Sequence, residues 1–310
     1  MKPQPKPVTM NDVTIVIPTL NEEQAIGKVI EELLSEGYQP QQILVVDGHS
    51  ADNTVKIAQS YGVNVITQQG RGKAEAIATA LDHVKTPYTL IMDGDYTYPA
   101  SETHKLIAIA HRYDEVIGAR LKGRENIPRL HRLGNHIITK AFNLLFGTNL
   151  RDICSGMYIV KTDKARGHEI ASKGFNIEVE LAAKIASDLG KITDTPITYR
   201  KRLGNPKMPT RTGFKILLET LKLAWHYNPI FLLFTLGSLL LIPGIALGIW
   251  VALKLLLYGV KHYMWGIIAI VLSAAGLQSL ATATLALYLK RIEYRQAKKL
   301  EELIETASHA

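Results

Sequence analysis

Asp93 and Asp95 flank Gly94 directly after the apolar run Thr89-Leu90-Ile91-Met92. Two carboxylates one residue apart at the end of a buried strand suit a hard divalent cation, Mg2+ or Mn2+, and the diphosphate that such a cation carries. Asp-x-Asp alone is common in surface loops, so the strand in front of it supplies the weight. Asp47, at the end of Ile43-Leu44-Val45-Val46, reads either as a nucleoside ligand or as a helix cap. Asp52 and Asn53 read as turn and capping residues. Gly70-Arg71-Gly72-Lys73 has the make-up of a phosphate-cradling loop that opens a helix, or of a flexible basic loop. It lacks the glycine spacing and Lys-Ser/Thr ending of a Walker motif. Arg120, Arg124, Arg129, Arg132, Arg200, Lys201, Arg202 and Lys207 form a later basic group. Some of these should meet phosphate, because the arginine fork matches its oxygens. Glu178 and Glu180 alternate with Ile177, Val179 and Leu181, and either act near a reaction centre or pair with the arginines.

The elements that must position these groups alternate. Val13-Thr14-Ile15-Val16-Ile17 is a β-branched run stopped by Pro18, as a buried parallel strand would be. Asn21 is the expected cap of a helix with Glu22 and Glu23 in its first turn and an Ala25, Ile26, Val29, Ile30, Leu33 stripe. Further strands are expected at 43–46, 63–66, 89–92 and 115–118, with helices after Ser50 or Asp52 and from Lys73 to Val84. This alternation predicts an α/β fold, a doubly wound, mainly parallel, Rossmann-like sheet. Ligands of such sheets lie at the carboxyl ends of the strands, where Pro18 to Glu22, Asp47 and Asp93 to Asp95 all fall.

The last third changes character. Pro229 to about Leu257 is apolar apart from Lys254, and Met264 to Leu289 carries no charge. Each exceeds the roughly 20 residues needed to cross a hydrocarbon core of about 30 Å. Aromatic residues from Trp225 to Tyr288 mark the ends of the runs, and the connection Tyr258–Tyr263 is short, so the pair reads as a transmembrane hairpin. Its outer flanks hold Lys215, Lys222, Lys290, Arg291, Arg295, Lys298 and Lys299, which puts both termini in the cytoplasm. Phe214 to Trp225 reads as an amphipathic helix, lying in the interface or packed on the soluble domain. The expected organisation is a disordered lead at 1–10, a cytosolic catalytic domain at 11–212, the amphipathic helix at 213–227, two spans within 228–290 and a cytosolic tail at 291–310. The 310 residues carry a net charge of +8, which fits phosphorylated substrates or anionic lipid. Aromatics do not interleave with the basic clusters, so nucleic acid is not an expected partner. The single cysteine, Cys154, excludes an intrachain disulfide.

With these pieces placed, the chain resembles the inverting family 2 glycosyltransferases of GT-A fold, and among them the polyprenyl- (dolichyl-) phosphate sugar synthases. The residues that carry the likeness are Ile17-Pro18-Thr19-Leu20-Asn21-Glu22, the stretch Val45 to Thr54, and Met92-Asp93-Gly94-Asp95. Ile117-Gly118-Ala119-Arg120, Ser155-Gly156 and the Arg202 to Lys207 stretch extend it, so that it covers Val13 to Lys207. The resemblance implies that Pro18, Leu20, Glu22, Val46 and Asp47 hold the nucleotide base and ribose, and that Asp93, Gly94 and Asp95 hold diphosphate and metal, with Lys73 on the donor. Asp95, Arg120 and Arg132 are then the expected catalytic group, and Arg202 and Lys207 the acceptor-phosphate group. Leu20 stands where an aromatic is usual, Thr97 where a metal-binding Gln is found, and His49 where a second acid is found. Thr97 would reach the metal through its hydroxyl or a water. These departures leave the donor open between UDP-glucose, UDP-N-acetylglucosamine and GDP-mannose. The expected reaction is inverting transfer of the sugar to a membrane polyprenyl (dolichyl) phosphate, as in protein glycosylation. The acceptor phosphate is largely dianionic at neutral pH and needs cationic steering rather than a strong general base. The alternatives are a membrane-tethered nucleotide-sugar-binding protein without transfer activity, or a transferase with another lipid acceptor. Self-association is left open.

Overall fold

The computed structural model describes residues 6–166, 177–204 and 229–308. The chain divides into two compact units, Met1–Leu223 and Ala224–Ala310. In the first, β1 (Val13–Thr19), β2 (Ile43–Asp47), β3 (Asn64–Thr67) and β4 (Tyr88–Ile91) are parallel neighbours in the order β3-β2-β1-β4. The sheet continues through β6 (Tyr158–Lys161), β5 (Glu115–Lys122) and β7 (Ile192–Thr198). β6 runs antiparallel to both β4 and β5, while β5 and β7 are parallel. The expectation of a mainly parallel sheet holds, and the reversed β6 and the edge strand β7 are the elements that the strand-helix alternation did not announce.

Every residue of β2 is buried, because helices cover both faces of the sheet. α1 (Ile26–Ser35) supplies Ile26, Val29, Ile30 and Leu33 to that core, the stripe its sequence shows. α2 (Thr54–Ser60), α3 (Lys73–His83) and α4 (Thr103–Ala110) follow the next strands. The register sets Thr19 beside Asp47 and Asp47 beside Thr67, so three strand ends lie level at one edge. Met92 N–H donates to Val16 C=O at 3.1 Å, which brings Asp93 to the same edge.

Three local expectations are corrected. Asn21 does not cap α1: it sits at φ 51° and staples two loops, its N–H on Ser50 Oγ at 2.8 Å and its Oδ1 accepting from Ala51 N–H at 2.7 Å. The Glu22 carbonyl instead accepts from the N–H groups of Ala25 and Ile26, both at 2.9 Å, and the helix begins at Ile26. Glu178 and Glu180 lie on α7 (Ile177–Ser187), a helix buried through most of its length, so their alternation with apolar residues is not that of a strand. The lead is ordered from Val8, which packs with Met10 against the core. The amphipathic stretch 213–227 and Lys207 lie outside the described residues.

α5 (Arg129–Phe146) buries Ile138, Phe142 and Leu145 on one face. Its other face exposes Leu130, Leu133, Ile137 and Leu144 in a single stripe, with Arg129, Arg132, His136 and Lys140 along its flank. α6 (Thr162–Ala165) is one turn. The second unit is a helical pair, α8 (Pro229–Tyr258) and α9 (Tyr263–Ser308). Leu232–Tyr258 and Tyr263–Leu289 are each long and apolar enough to cross a bilayer. Small residues let the two helices approach: a Cβ on Gly244 would stand 2.7 Å from Ser273 N. Ser279 Oγ also donates to Leu233 C=O at 2.8 Å. α9 continues to Ser308, so the segment expected as a plain tail is an extension of the helix.

One buried acid inside the first unit has a measurable consequence. Glu115 opens β5 at 1% exposure with neither carboxylate oxygen hydrogen-bonded. Burial, reinforced by the charge of Glu178, raises its pKa to about 8. A carboxyl raised in the fold stabilises most below its unfolded pKa and loses that contribution as pH climbs through the folded value. Glu115→Gln removes this titration. Its melting temperature should exceed that of wild type at pH 8, by a gap on the order of a few kcal/mol in stability, and the gap should close towards pH 5. A constant gap across that range in thermal melts would contradict the assignment.

Candidate active site

The turn after β4 projects Asp93 and Asp95 at the carboxyl edge, and close packing holds the turn. A Cβ on Gly94 would lie 2.8 Å from Thr19 Cγ2, and one on Gly156 would lie 2.7 Å from Asp93 Cγ. Both positions therefore admit backbone only. Gly156 is fixed in turn by its N–H, which donates to Tyr98 Oη at 2.7 Å.

Asp95 is 5% exposed, and Thr97 spends both its N–H (3.1 Å) and its hydroxyl (2.5 Å) on Asp95 Oδ1. Arg202 Nη1 meets the other oxygen, Oδ2, at 2.7 Å, and its Nη2 meets Glu22 Oε1 at 2.5 Å. Lys73 Nζ lies 2.6 Å from Asp93 Oδ1 and also bonds Glu178 Oε1. Burial would depress the Lys73 ammonium, but Asp93 and Glu178 outweigh it and hold the pKa well above the ordinary value. Asp95 is pushed up, first by burial and then by the charge of Asp93, against the lowering effect of Thr97 and Arg202. A buried carboxylate pushed up by a second one beside it is a favourable seat for a divalent cation, which relieves the repulsion with oxygen ligands alone. Asp93 and Asp95 therefore fit Mg2+ or Mn2+.

The expected donor residues divide. Asp47 caps no helix: its Oδ2 accepts from Ser50 N–H at 3.0 Å as a turn bond, while Oδ1 is buried without a partner. That orphan oxygen is an acceptor available to a nucleoside. Glu22 is anchored by its N–H to Thr54 Oγ1 at 2.7 Å, and Asp52 ties the same loops by accepting from Glu23 N–H at 3.2 Å. Pro18 and Leu20 flank the strand end, Leu20 exposed. Val46 is wholly buried between neighbouring strands, so its side chain supplies packing and not a contact surface.

Two further assignments change. The Thr97 hydroxyl is committed to Asp95, which makes Thr97 the residue that orients a carboxylate. Arg120 is 8% exposed and forks onto Asp152, Nε to Oδ2 at 2.7 Å and Nη2 to Oδ1 at 2.9 Å, with Tyr199 across its face at 5.3 Å. Asp152 raises its pKa further in spite of burial. Removing one partner of such a buried pair costs about 3–5 kcal/mol, so Arg120 first serves the fold. Arg132 lies in the first turn of α5, half-buried, with no ion pair among the described residues. Glu178, left open between two roles by the sequence, is the partner of Lys73. Tyr98 and Asp152 went unnoticed, because single aromatic or acidic residues carry no spacing signal.

A family model described as Glycosyl transferase family 2 matches residues 14–167. Glycosyltransferase AglJ of Haloferax volcanii is 33% identical over 302 residues, covering 95% of this chain and 99% of the relative. A dolichyl-phosphate hexose transferase of the same organism is 32% identical over 210 residues, 66% of this chain and 90% of the relative. Among solved structures, glucosyl-3-phosphoglycerate synthase from Mycobacterium tuberculosis, in complex with Mn2+, UDP-glucose and phosphoglyceric acid, superposes with a TM-score of 0.59 at 20% identity, over 68% of this chain and 79% of that one. The chain belongs to the family 2 glycosyltransferases, and its first unit has the GT-A fold.

Gly156→Ala tests the packing of the metal turn. Its methyl group displaces the Asp93 carboxylate, and a misplacement of about 1 Å costs on the order of 100-fold in turnover. Glycosyl transfer should fall by that factor with the melting temperature little changed. Unchanged transfer would show that the turn tolerates the shift.

Proposed function

We propose that this protein transfers a sugar, with inversion, from a nucleoside-diphosphate sugar to the phosphate of a membrane polyprenyl phosphate, giving a lipid-linked monophosphate sugar for glycan assembly. The observation that carries the proposal is the convergence of Glu22, Asp93 and Asp95 with Lys73 and Arg202 at the carboxyl edge of the sheet. Bound at Asp93 and Asp95, Mg2+ or Mn2+ would neutralise diphosphate charge and ease its departure. Asp47 Oδ1 would accept a hydrogen bond from the nucleoside. Lys73 and Arg202, already beside the two aspartates, would hold the phosphates through charge-assisted hydrogen bonds. The acceptor phosphate needs no proton removed, which agrees with the want of a nucleophile-base pair at this edge among the described residues. Arg132, and Lys207 beyond the described residues, would steer that phosphate.

The acceptor class is supported by the relative named as a dolichyl-phosphate hexose transferase and by the two helices long enough to span a bilayer. The apolar stripe and basic flank of α5 suit an anionic membrane surface. Basic residues after Leu289 would keep both ends of the hairpin cytoplasmic. We place the catalytic domain at 11–212 and the hairpin at 228–290. The donor sugar is assigned by experiment: membranes containing the protein, a polyprenyl phosphate, Mg2+ or Mn2+, and radiolabelled UDP-glucose, UDP-N-acetylglucosamine or GDP-mannose in turn. One donor should label the organic phase, and Asp95→Ala should lower that transfer by on the order of 100-fold or more while the protein stays folded. Binding without any transfer would instead favour a nucleotide-sugar sensor.

A further inference from the structure

We infer that Arg202 is a resident cation on the metal site: its guanidinium holds Asp95 until donor binds and then passes to the diphosphate, so that metal and nucleotide bind cooperatively. This rests on the reading of Asp93 and Asp95 as metal ligands. Arg202 neutralises Asp95 and Glu22 together, at 2.7 and 2.5 Å. Lys73 neutralises Asp93 on the far side of the turn. The linked groups hold two more acids than bases, the deficit that one divalent cation fills. Yet a cation approaching Asp95 meets a carboxylate with Oδ1 bonded to Thr97 and Oδ2 bonded to Arg202. Thr97 is a neutral donor behind the carboxylate, whereas Arg202 carries a full positive charge at the oxygen the metal needs. Metal alone must therefore expel a guanidinium or tolerate it at close range.

A metal that arrives with a diphosphate meets no such obstacle, because the diphosphate offers the guanidinium new oxygens in bidentate geometry. The backbone is placed for this exchange. Arg200 N–H donates to Thr97 C=O at 2.7 Å and Leu203 N–H donates to Asp95 C=O at 3.2 Å. The main chain on both sides of Arg202 is thus stitched to the metal turn, and only the side chain has to change partners. Lys73 differs, since Glu178 retains it when Asp93 is taken. Arg202 is therefore the positioning residue that makes metal affinity conditional on nucleotide. By linkage, nucleotide affinity gains from metal by the same factor.

The test is Mn2+ binding to the full-length protein in detergent, read by the electron paramagnetic resonance of free Mn2+, without nucleotide and with saturating UDP or GDP. Without nucleotide, Arg202→Gln should bind Mn2+ about tenfold more tightly than wild type, the scale of one charge-assisted hydrogen bond. With nucleotide the order should reverse, so the gain in Mn2+ affinity from nucleotide shrinks by tenfold or more. Arg200→Gln removes the same charge two residues away, where Arg200 pairs with Glu32 at 2.6 Å and lies over Tyr96. It should change Mn2+ affinity less than about twofold, as a screened charge does. Equal or weaker nucleotide-free binding in Arg202→Gln, or equal tightening in Arg200→Gln, overturns the inference. Asp95→Asn separates the two levels. If it abolishes Mn2+ binding and Arg202→Gln fails to tighten it, the exchange is wrong and the metal site stands. If Mn2+ binds Asp95→Asn as it binds wild type, both readings fall.

Discussion

The site depends on one electrostatic constraint: Asp93 and Asp95 stand on one tight turn, where burial and then the charge of Asp93 push the Asp95 carboxyl up. Burial of Asp95 sharpens the conflict, because the charges are poorly screened at an edge partly closed to water. The fold answers with Lys73 and Arg202, which stand far apart in the sequence of the first unit. Lys73 opens the helix after β3, and Arg202 follows the last strand of the sheet. Glu22 and Glu178 then fix the cations in place.

The sequence revealed the carboxyl edge well and its ion pairing poorly. Strands end in apolar runs that stop at Pro18, Asp47 and Asp93, and a doubly wound sheet has only one place for such ends. That logic needs no knowledge of side-chain partners, and it placed Glu22, Asp47, Asp93 and Asp95 together. Partner choice is a tertiary matter. Arg120 and Arg202 are both basic residues near the end of a strand or just past one, yet one is locked on Asp152 inside the domain and the other sits on Asp95 at the ligand edge. Asn21 has the residue type of a helix cap, but at φ 51° it lacks the extended backbone of one, and its N–H and side-chain oxygen are spent on Ser50 and Ala51. Glu178 stayed open between two roles, because a helix buried on nearly all sides shows no polar face from which a partner could be read. β6 escaped because an antiparallel strand inserted into a parallel sheet differs from its neighbours in direction alone.

The two units differ in composition, and the proposed reaction would draw on both. The α/β unit offers a charged, oxygen-rich edge suited to a soluble phosphate donor. The helical pair offers a hydrocarbon-compatible surface with almost no charge before Lys290. Close approach at Gly244 and the Ser279 bond to Leu233 hold this pair together by packing and hydrogen bonding, which do not require water to drive them. A polar reaction on a lipid-borne phosphate needs both environments, and family membership by itself would require only the first.

The most direct measurement is an anomalous-difference map of the protein with Mn2+ and a nucleoside diphosphate, collected at a wavelength where manganese scatters strongly. The account predicts one peak within coordinating distance of the carboxylates of both Asp93 and Asp95, with the diphosphate against it and the Arg202 guanidinium turned to the phosphates. A manganese peak held by other residues, with Asp95 still paired to Arg202, would contradict it.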